Sequence, residues 1–214
     1  MTEEELFQSV VSAEKGGEAV AVDEARRNYV ERFPDGKEAT NVRFRLGIAT
    51  LLVGGSVPEA TLFFKDAAAD KKSALAKEAR ISLAICLNAQ KKRQQAIFEL
   101  KKLLPSGATP SANTASALEY LCMFVRDSGA KQVELEPIEE RRREHLRVLA
   151  DGEKNTLAKA QYLRRLATAF LDTGSGLAGA KAQKVLNEVI KLGPNAKEEV
   201  KAARMMLKQL INKR

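Results

Sequence analysis

The chain has 214 residues and a formal net charge of +8, with only 5% aromatic residues and no tryptophan. It contains no run of alternating β-branched residues long enough for a strand, so the composition favours an all-α protein. No stretch approaches the length of uncharged apolar sequence that spans a membrane. Residues 1–5 lack the features of a signal peptide. We expect a cytoplasmic location if Met1 is the native start and a periplasmic one if an export signal has been removed.

The first four predicted helices form two hairpins, over residues 2–34 and 37–70. A capping box at Thr2 and Glu5 begins the first helix, and the second runs from about residue 18 to residue 33. The third and fourth helices cover about 37–53 and 58–69. Gly54 can adopt a positive φ and end the third helix, and Pro58 suits the first turn of the fourth.

Small and large side chains recur at fixed spacings in these hairpins. Ala25 precedes Tyr29 by four residues, and Ala60 precedes Phe64 by four, 35 residues further along. Two antiparallel helices approach closely where one presents a small side chain, so Ala60 is expected to face Leu46 and Gly47. This period indicates stacked helical hairpins.

Three further hairpins are predicted over 71–106, 110–150 and 153–194, followed by a capping helix over 195–212. The fourth hairpin departs from the pattern because Glu134 occupies the small-residue position. Its second helix has a thin apolar face, and Pro137 is expected to restart it; a longer or displaced helix is the alternative. Gly176 and Leu177 are expected to lengthen the turn of the fifth hairpin.

The last predicted helix has one apolar and one basic side. Asn195 is expected to be its N-cap. Its basic residues fall outside the apolar stripe, as the end of a helical stack requires. The apolar stripe consists of Val200, Ala203, Leu207, Leu210 and Ile211.

The segment from Phe33-Pro34-Asp35-Gly36 through Asn41 to Leu46-Gly47 resembles the tetratricopeptide repeat (TPR). It is most similar to units of bacterial envelope TPR proteins, of the Tol-Pal cell division coordinator and β-barrel assembly lipoprotein types. The resemblance implies a right-handed superhelix of about five hairpins, formed as a single α-solenoid over residues 1–214. It also implies a non-catalytic scaffold in the bacterial envelope or in a multiprotein assembly.

No motif in the sequence predicts catalysis, a metal or a cofactor. Residues 174–179 match the G-x-G-x-x-G pattern, but a helix rather than a strand precedes them, so we expect a glycine-rich turn. His145 is the only histidine and has no partner for a metal site, so a surface or core-edge position is expected. Cys86 and Cys122 are expected to be buried free thiols. The mixed charges of residues 139–144 are expected to form a solvated helix face.

In TPR proteins the first helices of the hairpins line a concave groove that holds a peptide or helix. The resemblance therefore predicts groove-facing positions, among which Phe44 and Ile85 would be exposed apolar anchors. Some of the apolar positions could instead pack between neighbouring repeats. The predicted positions are Asn41, Phe44, Ile48, Ile81, Ile85, Asn88, Met123, Arg126 and Arg164.

Charge separates two further hypotheses about partners. Residues 1–70 contain 8 Lys and Arg and 13 Asp and Glu, a net charge of −5, whereas residues 71–150 carry +6 and residues 151–214 carry +7. Solvated helix faces explain this distribution, but acidic and basic ends would also favour an acidic partner or a homo-oligomer. The alternative function is a binder of nucleic acid or an anionic surface through residues 71–214. The absence of interleaved aromatic residues opposes nucleic acid.

Overall fold

The computed structural model describes residues 1–173 and 176–212. Within these ranges the regular structure consists of helices, without strands. The helices are α1 (Glu3–Gly16), α2 (Ala19–Arg32), α3 (Ala39–Leu52), α4 (Val57–Ala69), α5 (Ala76–Ala89), α6 (Arg93–Lys101), α7 (Ala112–Asp127), α8 (Gln132–Gly152), α9 (Thr156–Leu171), α10 (Gly176–Lys191), a short 3₁₀ helix (Gly193–Ala196) and α11 (Lys197–Asn212). No helix of the described residues is long and apolar enough to cross a membrane.

The chain forms two compact units, residues 1–103 and residues 104–214. In the first unit each helix from α1 to α6 packs against the next one in sequence. Local signals set their ends: Thr2 and Glu5 form the predicted capping box of α1, and Gly54, at a φ of 70°, follows the last turn of α3. Antiparallel neighbours joined by short turns are what stacked hairpins require.

Tyr29 is the centre of the N-terminal core in the first unit. It is fully buried, and its ring packs edge to face against Phe7 at 5.7 Å between centroids. Its hydroxyl donates a hydrogen bond to Glu3 Oε1 at 2.7 Å and accepts one from the Glu38 amide at 3.2 Å. The apolar ring thus joins α1 to α2, while both polar capacities of the buried hydroxyl are satisfied.

Gly47 marks the closest approach of α3 to α4. A Cβ atom at this position would lie 2.7 Å from two ring carbons of Phe64, which is fully buried. The small residue at position 47 is therefore required by the Phe64 ring, a contact that differs from the predicted one between Ala60 and Gly47. Ala60 is also fully buried, one turn before Phe64.

The second unit contains α7 to α11, and its core is built mainly by α9 and α10. Each helix packs against the next, and α11 also contacts α9. The predicted restart at Pro137 is wrong, because α8 runs unbroken from Gln132 to Gly152. A proline inside a helix removes one intrahelical hydrogen bond and crowds the carbonyl four residues earlier, so packing of the helix must offset this cost. Leu135 and Leu146, on either side of it, are buried and hold α8 against the core.

The predicted solvated face of residues 139–144 is also wrong in part. Glu139 and Arg142 are buried, and so is His145, one turn further along α8. Together with Leu135 and Leu146, Glu139 and Arg142 follow helical spacing, so these two charged residues occupy core-facing positions. The core-facing side of α8 therefore consists of a few apolar residues together with the buried charged residues Glu139 and Arg142.

The C-terminal end differs from the prediction in three details. Asn195 lies in the 3₁₀ helix, and α11 begins only at Lys197, so Asn195 is not its N-cap. Ile211 is 63% exposed and does not belong to the buried stripe. Gly176 and Leu177 form the first turn of α10 rather than an extended turn. The predicted glycine-rich turn at Gly174 and Ser175 lies outside the described residues.

Candidate binding faces

The predicted site residues of the first unit lie on α3 and α5, on what we call the α3–α5 face: Asn41, Phe44, Ile48, Ile81, Ile85 and Asn88. The Asn41 side chain, in the first turn of α3, forms hydrogen bonds with two residues nearby in the sequence. Its side-chain amide donates to Glu38 Oε2 at 3.2 Å, and its oxygen accepts from Arg45 Nε at 3.0 Å. Asn88 accepts a hydrogen bond from Arg93 Nε at 3.3 Å. Both amides are therefore oriented without a ligand.

Phe44 is not the exposed anchor that the sequence predicts. It is half-buried, and its ring meets that of Phe64 edge to face at 5.8 Å between centroids. It also packs against the buried cluster of Ala67, Ala68 and Ala79, which joins α4 to α5. Packing between helices therefore uses most of the Phe44 ring.

Ile81 and Ile85 lie one turn apart on α5 but differ in how far their side chains are exposed to solvent. Ile81 is 7% exposed and belongs to the core, so its predicted groove-facing role is corrected to packing. Ile85 is half-buried rather than exposed.

One register position is apolar and partly exposed on three successive first helices. Ile48 on α3 is 37% exposed, Met123 on α7 is 42% exposed, and Ile85 on α5 is half-buried. Each residue directly follows a buried small residue, namely Gly47, Ala84 or Cys122. The buried small residue faces the neighbouring helix, so the apolar residue that follows it lies partly exposed on each of these first helices.

The predicted arginines of the second unit are engaged in ion pairs. Arg126 on α7 contacts Glu139 Oε1 at 2.6 Å, and Arg164 on α9 pairs with Glu199 of α11. Glu139 is only 1% exposed, so Arg126 neutralises a buried carboxylate. Both arginines therefore serve the packing of their helices.

Sequence reasoning missed a charged network that joins α7, α8 and α9. Arg142 contacts Glu119 at 3.0 Å and Asp172 at 2.8 Å, and Arg165 reaches the other oxygen of Glu119 at 2.8 Å. The signal was present in the sequence, because Leu135, Glu139, Arg142 and Leu146 share one helical stripe. The buried positions of α8 therefore follow from the helical period of this segment, and its charge composition does not reveal them.

Burial is the main cause of the pKa shifts of the two thiols and of the histidine. Burial raises the pKa of the Cys122 thiol to about 11 and also raises the pKa of Cys86. Both thiols are buried and free, as predicted, and their protonated form is a poor nucleophile. Burial, followed by the nearby Arg141 guanidinium, lowers the pKa of His145. Its Nδ1 lies 3.2 Å from the Thr114 hydroxyl.

Comparison of the sequence with protein-family models and with curated proteins finds no match. Solved structures do match. The structure of BtubC (BKLC) from P. vanneervenii is similar with a TM-score of 0.60 and 16% identity, over 88% of this chain and 78% of that chain. Kinesin light chain TPR-like repeats from Podosopora anserina also give 0.60, at 14% identity over 92% and 98% of the two chains.

A tetratricopeptide repeat protein from Parabacteroides merdae is similar with a TM-score of 0.52 and 13% identity, over 98% of this chain and 97% of that chain. At these identities the likeness concerns the fold. The described residues therefore form an all-α, TPR-like stack of helical hairpins, as the repeat period predicts.

Proposed function

We propose that this chain is a non-catalytic scaffold that binds a peptide or helix of another protein along its first helices. The observation that carries the proposal is the repeated, partly exposed apolar position at Ile48, Ile85 and Met123. Within the first unit, Ile48 and Ile85 lie on consecutive first helices, and apolar side chains placed in this way suit the apolar face of a bound helix. An apolar side chain that only packs in the core of its own unit would be buried, whereas Ile48 and Met123 are 37% and 42% exposed.

The polar positions around this row support recognition of a polypeptide. Asn41 and Asn88 are already oriented by hydrogen bonds, and both amides keep further donor or acceptor capacity. Pre-oriented groups lose little conformational entropy when a ligand binds. In this proposal Phe44 and Ile81 pack beneath the α3–α5 face, and Ile48 and Ile85 contact the bound peptide or helix.

Ion pairing within the second unit disfavours the alternative, a binder of nucleic acid or an anionic surface through residues 71–214. Arginines that neutralise carboxylates are not available to phosphates. Those with such partners are Arg126, Arg142, Arg143, Arg147, Arg164 and Arg165. The bacterial envelope as the setting, and one continuous solenoid over residues 1–214, stay predictions from the resemblance.

Site-specific photocrosslinking in cells tests the proposal. A photoreactive phenylalanine analogue at position 48 or 85 should crosslink to one and the same protein. Position 62 is the matched control, because Leu62 is apolar and 61% exposed but lies on α4, a second helix. Crosslinking of that protein from position 62 alone would contradict the proposal.

The protein identified in this way then serves for a binding measurement with purified components. Ile48→Glu combined with Ile85→Glu should weaken binding by at least about tenfold, because desolvated apolar contacts supply most of the interface energy. Circular dichroism should show an unchanged helix content, since neither side chain is fully buried. Unchanged affinity in a folded double variant would rule out the α3–α5 face.

A further inference from the structure

Helix α11 carries a row of cations on its solvent side. Lys197, Lys201, Arg204 and Lys208 follow one another at intervals of four, three and four residues, so they form one stripe of the helix. All four are exposed, whereas Val200 and Ala203 on the other side are buried. In the part of the chain that the structure describes, none of the four makes an ion pair. Arg126 of α7, Arg142 of α8 and Arg164 of α9 differ from them, because each pairs with a carboxylate.

An apolar hollow of about 560 Å³ lies beside this row, between the end of α10 and α11. Its apolar lining comes from Ile190, Pro194, Val200 and Met205, and Met205 is 56% exposed. Its charged lining is Lys197, Lys201 and Arg204, and no acidic residue is among the described residues around it. The site therefore combines an apolar floor with a rim of one sign of charge.

We propose that this hollow is a docking site for an acidic amphipathic helix of another protein. An apolar side chain of that helix fills the hollow, and its carboxylates contact Lys201 and Arg204. Charge complementarity identifies the partner's chemistry, because three cations without an ion pair surround the floor and no acidic residue is among the described residues that line it. The site lies on α11 and uses no residue of the α3–α5 face, so it is independent of the function proposed above.

The lining of the hollow favours a protein segment over nucleic acid. Single-stranded nucleic acids bind where aromatic side chains stack on the bases, and the described residues that line this hollow include no aromatic one. A phosphate backbone would use the cations and leave the apolar floor exposed to water. An amphipathic helix covers both, because leucines and glutamates can occupy adjacent stripes of its surface.

Fluorescence anisotropy of a labelled synthetic peptide tests this site on the full-length protein. The peptide is helical, with leucines along one face and glutamates on both sides of it. Two control peptides replace every glutamate by glutamine or every leucine by serine. The first peptide should bind, and each control peptide should bind at least about tenfold more weakly, because both the rim and the floor contribute.

Charge-reversal variants locate the binding. Lys201→Glu with Arg204→Glu should weaken binding of the acidic peptide by at least about tenfold. Lys77→Glu with Lys101→Glu is the matched control, because it reverses two exposed lysines of the first unit and gives the same net charge. This control and the Ile48→Glu, Ile85→Glu variant should both retain the affinity. Met205→Ser should weaken binding without any change of charge.

Several results would overturn the proposal. The acidic peptide could fail to bind, or the two charge-reversal variants could lose affinity equally. A single-stranded oligonucleotide could displace the peptide and bind more tightly, which would indicate nucleic acid as the ligand. Sedimentation could show an oligomer of this chain that the Lys201→Glu, Arg204→Glu variant dissociates, which would make a second copy the occupant.

Discussion

The role of a single residue in this protein depends on the atoms that lie within a few ångströms of it. Gly47 and Gly179 are both helical glycines, but only Gly47 faces a ring, that of Phe64. His145 and Cys122 are both titratable and both buried, and their surroundings hold them in the neutral form. Residue type alone therefore predicts little about the cost of a substitution here.

Replacement of Gly47 by alanine should lower the free energy of unfolding by about 1–3 kcal/mol, because the added Cβ would overlap the Phe64 ring. Gly179→Ala is the control. That position lies within α10, and among the described residues nothing apart from the neighbouring backbone of this helix lies within 4 Å of a Cβ there. The control should be neutral or stabilise the protein by up to about 1 kcal/mol. Chemical denaturation measures both, and equal stability of the two variants would contradict the contact.

His145 should make stability depend on pH below about 6.5, the ordinary pKa of histidine. Its pKa is lower in the folded protein, so the unfolded chain takes up the proton first as the pH falls. Stability from this residue is therefore complete above pH 6.5 and declines below it. The difference in unfolding free energy between the wild type and His145→Gln should change between pH 7.5 and pH 5. A constant difference would show that His145 does not titrate differently on folding.

At the scale of elements, α8 shows how a helix with a weak apolar stripe is still held in a core. Its buried charges meet carboxylates and guanidinium groups of α7 and α9. Such a network joins the three helices, because removal of one partner would leave a charge of a neighbouring helix unpaired. Helix α8 is therefore held by paired charges in addition to its buried leucines, whereas an aromatic contact between Phe7 and Tyr29 joins α1 to α2.

Removal of Arg142 should destabilise the protein by about 3 kcal/mol, the lower end of the range for one partner of a buried pair. Arg142 is 3% exposed, but Glu119 and Asp172 keep some contact with water. Arg147→Ala is the control, because the pair of Arg147 with Glu188 is partly exposed and should cost at most about 1 kcal/mol. Thermal and urea unfolding would measure the two losses, and a loss for Arg142→Ala no larger than for the control would contradict a structural network.

At the scale of the whole molecule, the chain is organised as two units, each with a hydrophobic core of its own. A unit with its own core has the main requirement for folding alone. Residues 1–103 and residues 104–214, expressed separately, should each be helical and unfold cooperatively. Circular dichroism during denaturation would measure this, and a chain segment that is unfolded on its own would show that its core depends on the other unit.

The sequence by itself determined the class of fold, the helices and most of their ends. The 35-residue period, the capping box at Thr2 and the glycine at position 54 are local signals, and local hydrogen bonding and sterics act on them directly. The small residue at position 47 was also predictable, because close helix packing requires one.

Only the tertiary structure decided which side chains are free to act. Phe44 and Ile81 have the spacing of groove residues, but neighbouring helices cover them. Arg126 and Arg164 are cations in the sequence, but carboxylates distant in sequence neutralise them. That the row of cations on α11 has no ion pair among the described residues is likewise visible only in the tertiary structure. Burial and charge pairing depend on residues brought together from different helices, and a linear pattern does not contain that information.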